Sequence, residues 1–64
     1  MYETKKLIEL RKKYHYTIYD MAKLLNISIS HYSLLENKKR KLTYEMAIKI
    51  AKIFDKLPDD IFLK

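Results

Sequence analysis

TIYDMAKLLNISISHYSLLE, running from Thr17 to Glu36, reads as helix, tight turn, helix. Thr17 is placed to cap the first of these helices through its hydroxyl. Asp20 stands three residues on to answer it, a capping-box spacing with Asp in place of the usual Glu or Gln. Met21, Ala22 and Leu25 fall on one helical face at i, i+1 and i+4. Asn26 comes where that helix must stop, and Asn is one of the few residues besides Gly that visits left-handed backbone geometry at low cost. Ile27 is apolar and is expected to be buried in the turn. Ser28 is a second N-cap, and the helix it opens carries Tyr32 and Leu35 inward, three residues apart. The small side chain of Ala22 lets a second helix approach the first closely at a steep crossing. This arrangement is that of a helix-turn-helix.

The flanks fit a bundle around that unit. Upstream, a helix is expected from about Glu3 to Tyr14, because Leu7, Leu10 and Tyr14 repeat at i, i+3 and i+7 and Ile8 widens the stripe. Lys5, Lys6, Glu9, Lys12 and Lys13 are left for solvent, with Glu9 and Lys13 in the favourable i,i+4 order, a surface effect of about 0.2–0.5 kcal/mol. Tyr16 sits where an apolar residue closes the core beneath it. Downstream, Asn37-Lys38-Lys39-Arg40-Lys41 is polar and strongly basic. Thr43 then caps another long helix to about Phe54, with Glu45 in its first turn to suit the dipole. Its polar stripe is Glu45, Lys49 and Lys52. Tyr44, Met46, Ala47, Ile48, Ile50, Ala51, Ile53 and Phe54 are apolar, so the helix is expected in the middle of the bundle. Pro58 suits the first position of a last short helix, with Asp59 and Asp60 near its positive end. Ile61, Phe62 and Leu63 either close the bundle or face a partner.

Composition bounds the function. The chain has 64 residues, expected to form one domain over 1–64, and a chain this short buries only about 60% of the surface its unfolded form exposes. It contains no Cys, so neither a disulfide nor a cysteine zinc site staples it. An apolar content of 48% with regular spacing indicates a globular protein. No apolar run approaches a membrane span and no signal-peptide pattern is present, so a soluble cytoplasmic protein is expected. Fourteen Lys and Arg against eight Asp and Glu give a net charge of +6. A basic small domain points to polyanions, with nucleic acid ahead of an anionic membrane surface.

These residues also carry a family resemblance. Leu10-Arg11, Thr17, Met21-Ala22, Leu25-Asn26-Ile27-Ser28, Leu35-Glu36-Asn37 and Lys39-Arg40 resemble the phage repressor and Cro type of DNA-binding domain. The likeness continues through Ile50-Ala51-Lys52 and Phe54 to Pro58-Asp59-Asp60-Ile61-Phe62, and so covers nearly the whole chain from about Leu7. No single motif is decisive; their co-occurrence in order is what makes the resemblance specific. It implies an all-α, compact five-helix bundle of the lambda-repressor-like kind. It implies that Ser28, Ile29, Ser30, Ser33 and Leu34 face the bases, and that Arg11 and Glu36 form an ion pair tying the first helix to the recognition helix. Thr17, His31, Asn37, Lys38, Lys39, Arg40 and Lys41 are the expected contacts to the DNA backbone. The chain departs from the family in several places. His15 stands where Gly is common, and His is among the non-glycine residues enriched at positive φ. Lys38 also stands where Gly is usual, which leaves Asn37 as a candidate for the left-handed role. Ile18 replaces a Gln that commonly holds a phosphate. Two base-facing positions, Ile29 and Leu34, are apolar where Gln, Arg or Lys is frequent.

Competing readings are weaker. His15 and His31 lie sixteen residues apart with no Cys and no coherent cluster, so no metal or cofactor is expected. Asp59 and Asp60 are adjacent and do not face each other, and capping explains them. No nucleophile–base pattern or phosphate-binding Gly loop is present, so neither an enzyme nor a small-molecule substrate is expected. The basic run is more than a solvated loop, because it directly follows the helix expected in the major groove. The expected function is therefore sequence-specific binding of double-stranded DNA, as a repressor-type regulator of a bacterium or its mobile elements that acts by operator occupancy. A homodimer on a two-part site is expected, with Ile61, Phe62 and Leu63 contributing to its interface. The rival is a protein-interaction module that kept the fold, a partner of another regulator or of a toxin.

Overall fold

Helix starts and stops follow from local chemistry. In the computed structural model, residues 3–62 are described, and they form α1 (Lys5–Lys13), α2 (Ile18–Leu25), α3 (Ile29–Glu36), α4 (Tyr44–Ile53) and α5 (Pro58–Phe62), with no strand among them. Thr17 Oγ1 accepts from Asp20 N at 3.0 Å and Asp20 Oδ2 accepts from Thr17 N at 2.8 Å, closing the capping box of α2. Ser28 and Thr43 cap α3 and α4 by accepting from His31 N and Met46 N. Pro58 opens α5, and Asp60 Oδ2 accepts from Leu57 N at 3.3 Å.

The first four helices end alike. His15, Asn26, Lys38 and Asp55 have φ near +60° (61°, 59°, 60° and 55°), although the chain contains no glycine. At each, the N–H groups of this residue and the next turn back onto the last turn of the helix. After α3, for example, Lys38 N donates to Leu35 O and Lys39 N to Leu34 O. These are Schellman closures, which satisfy carbonyls the helix leaves free. The left-handed residue after α3 is thus Lys38 and not Asn37. Asn37 stays at φ −90° and donates its side-chain Nδ2 to Ser33 O at 2.9 Å.

The helices pack α2 on α3, α4 on α5 and on α2, and α1 on α5. Leu7, Met21, Ala22, Leu25, Tyr32, Ala47, Ile50, Ala51, Phe54, Ile61 and Phe62 form the core. Tyr14 lies edge-on to Phe54 with ring centroids 5.1 Å apart, and Tyr16 adjoins both. A Cα radius of gyration of 10.4 Å is that of a compact chain of this length, about 10–11 Å.

Three expectations change. α1 begins at Lys5, not Glu3, because Glu3 N donates to Phe62 O at 3.3 Å and so joins the start of the described chain to its end. α4 is not apolar-covered all round. Ala47, Ile50 and Ala51 face inward, Met46, Ile48 and Ile53 are half-buried, and Tyr44 is 72% exposed. So few residues cannot surround a ten-residue helix, and its first turn extends past its neighbours. Ile61 and Phe62 are buried and close the bundle, so neither side chain is presented to a partner; Leu63 lies outside the described residues.

Candidate nucleic-acid interface

α3 carries apolar side chains on both its inward and its outward face. Tyr32, Leu35 and Glu36 are buried inward, while Ser28, Ile29, Ser30 and Leu34 are exposed, Ile29 to 49% and Leu34 to 40%. Ser33 and His31 are half-buried at the boundary. Neither Ile29 nor Leu34 belongs to the buried core. Of the residues expected to face bases, four therefore share an open surface, and Ser33 lies at its edge beside Asn37 Nδ2.

Arg11 fixes how α3 sits. Its Nε donates to Glu36 Oε2 at 2.9 Å and its Nη2 to Glu36 Oε1 at 3.0 Å, a bidentate pair, while Nη1 donates to Tyr16 O at 3.0 Å. The two side chains are only 12% and 7% exposed. One guanidinium thus binds the end of α3 and the α1–α2 turn together, with the planar geometry that favours such forks. Tyr32 lies alongside. Burial, and then the Glu36 carboxylate beside it, push its phenol far above the ordinary tyrosine range, so it stays neutral. Its hydroxyl is buried and forms no hydrogen bond of good geometry.

The approach to α2 is less open to anions than its dipole implies. Thr17 N is already given to Asp20, and the Thr17 hydroxyl oxygen already accepts, so its O–H proton is what remains for a phosphate. The hydrogen bond from Thr17 N holds the exposed Asp20 carboxyl below its ordinary value, keeping a negative charge at that end. Ile18 packs against the core.

Beyond α3 the cations divide. Lys38 Nζ lies 3.7 Å from Glu3 Oε1, both side chains partly exposed. Lys39, Arg40 and Lys41 are exposed along the connection to α4. Asn37 has its amide turned back onto Ser33. Two residues here escape sequence reasoning. Tyr44 falls on the inward period of Ala47 and Ala51, and only the reach of α4 past the core exposes it, with Leu42 packing on the core instead. Glu3 gives no local signal, because its partner is 35 positions away. Among the described residues no cluster of His, Asp or Glu fit to hold a metal occurs, and no helix is long and apolar enough to cross a membrane.

A profile described as helix-turn-helix matches residues 7–61, spanning the Arg11–Glu36 pair and all of α2 and α3. The chain belongs to this helix-turn-helix family, of the Cro and CI type. Membership makes it a DNA-binding protein of the transcription-regulator class, with double-stranded DNA as its partner, in a family that is regulatory and not enzymatic. No curated protein matches the chain.

Proposed function

We propose that the protein is a repressor-type regulator that places α3 in the major groove and acts by occupying its operator. The observation that carries this reading is the exposed row Ser28, Ile29, Ser30 and Leu34 on a helix locked by Arg11. Serine bonds to almost any base edge and discriminates little, whereas isoleucine and leucine pack on the thymine methyl group, which protrudes into the major groove only at A·T pairs. The operator half-site therefore contains at least one thymine read by Ile29 or Leu34, and selectivity is modest. Lys39, Arg40 and Lys41 anchor phosphates, with His31 and the Thr17 hydroxyl as weaker contacts. The protein works in the cytoplasm as a homodimer on a two-part site.

Selection of bound duplexes from a random pool at two salt concentrations identifies the site. Replacing the contacted thymine with uracil then removes only a methyl. It is expected to weaken the wild-type protein and leave Ile29→Ala or Leu34→Ala nearly indifferent. The exposed apolar pair also favours a second reading, a protein-binding surface. That reading wins if both substitutions leave DNA binding untouched and abolish capture of a protein partner. Lys39→Ala or Arg40→Ala is expected to weaken binding about equally on all sequences and to shallow the salt slope by about one unit.

A further inference from the structure

We infer that Glu3 is an affinity-limiting residue of the DNA interface: it competes with phosphate for Lys38. The inference rests on the DNA-binding reading above, and it concerns a contact that lies outside α3 altogether.

Both partners are set in place by their backbones and not by each other. Glu3 N is tied to Phe62 O, and Lys38 is fixed by the Schellman closure of α3 with φ 60°. Their charged atoms stand 3.7 Å apart, longer than the roughly 2.7–2.9 Å of a direct charge-assisted hydrogen bond. The attraction is therefore coulombic, and Glu3 takes none of the three ammonium donors of Lys38 in a hydrogen bond, which leaves them able to turn to another anion. Lys38 begins the basic run that follows α3, where a phosphate is expected to arrive. A phosphate that takes Lys38 must either displace the Glu3 carboxylate or sit beside it as a like charge. In both cases part of the gain from neutralising that phosphate is lost.

The test uses the whole chain and a mixed-sequence duplex, since phosphate contacts are independent of sequence. Glu3→Gln keeps the size of the side chain and removes its charge. At low salt it is expected to tighten binding about two- to fivefold, the size of one exposed ion pair. The dependence on salt is expected to steepen toward one further phosphate contact, by up to about 0.9 in slope between roughly 50 and 200 mM. In a Lys38→Gln background the same change is expected to have little effect. Glu9→Gln on the outer side of α1 removes an equal charge elsewhere and is the control. The inference is overturned if Glu3→Gln leaves binding unchanged or weakens it, since Glu3 would then merely accompany Lys38 or orient it for phosphate. It is equally overturned if Glu9→Gln gives the same gain, or if the gain survives Lys38→Gln, because net charge then accounts for the effect. A wild-type chain that retards no duplex at either salt concentration overturns the DNA reading itself and this inference with it.

Discussion

Single residues carry unusual conformational cost in this chain. A left-handed backbone costs an ordinary L-residue roughly 1–2 kcal/mol, because Cβ crowds the following carbonyl; Asn, Asp and His are enriched there and Lys is not. Among the described residues four such positions occur without a glycine, two of them His15 and Lys38. His15→Gly and Lys38→Gly are each expected to raise stability by about 0.5–1 kcal/mol, after the extra freedom glycine has when unfolded. Asn26→Gly is expected to change little. Urea unfolding of the three variants checks the ranking, and a loss at Lys38→Gly would show that its turn is not strained. Sequence reasoning located His15 and Asn26, since each follows an unmistakable helical pattern. It left Asn37 and Lys38 open, because the choice depends on whether the Asn37 amide turns back to Ser33 O, a contact that no spacing rule fixes.

At the scale of elements, the helices were legible and their surroundings less so. Caps at Thr17, Ser28 and Thr43 act over three residues, so they are written locally. Tyr44 was not legible, because its exposure depends on where α4 outruns other helices. The capping box of α2 also makes a pH-dependent contribution. The Asp20 carboxyl is lowered by the hydrogen bonds from Thr17, so its ionised form is favoured in the folded protein. This stabilisation is full above the unfolded carboxyl value, starts to fade near the ordinary 3.8, and is gone once the pH falls below the lowered folded value. The stability difference between wild type and Asp20→Asn, followed by thermal melts, is therefore expected to be present at neutral pH and to shrink in acid. A difference that is constant across that range would mean that the carboxylate does not answer Thr17.

For the molecule as a whole, the proposed homodimer raises the question of where two copies would meet. An apolar terminus drew attention in the sequence, yet Ile61 and Phe62 complete the core, a fact set by packing against α1 and α4 and not by composition. Among the described residues, an exposed apolar side chain near that end is instead Leu57, 67% exposed in the α4–α5 turn. If the homodimer forms through this end, Leu57→Lys is expected to reduce the sedimentation coefficient of the DNA complex to that of a single bound copy, with melting unchanged. A wild-type protein that is monomeric free and on DNA at high concentration rules out the dimer.

The Arg11–Glu36 contact also has a temporal meaning. Its partners are 25 residues apart, whereas the caps and helix closures span five or fewer. Chains dominated by local contacts fold within microseconds to milliseconds, and a distant pair closes only after its flanking helices have formed and docked. The pair is therefore expected to form after the folding barrier, so that its loss acts on the barrier to unfolding. Removing either partner strands the other, at a cost of about 2–4 kcal/mol, and a double-mutant cycle is expected to show the coupling. In stopped-flow chevrons that loss is expected almost wholly in the unfolding limb, with refolding rates near those of the wild type. A single guanidinium would thereby set how long the recognition helix, once assembled, stays assembled.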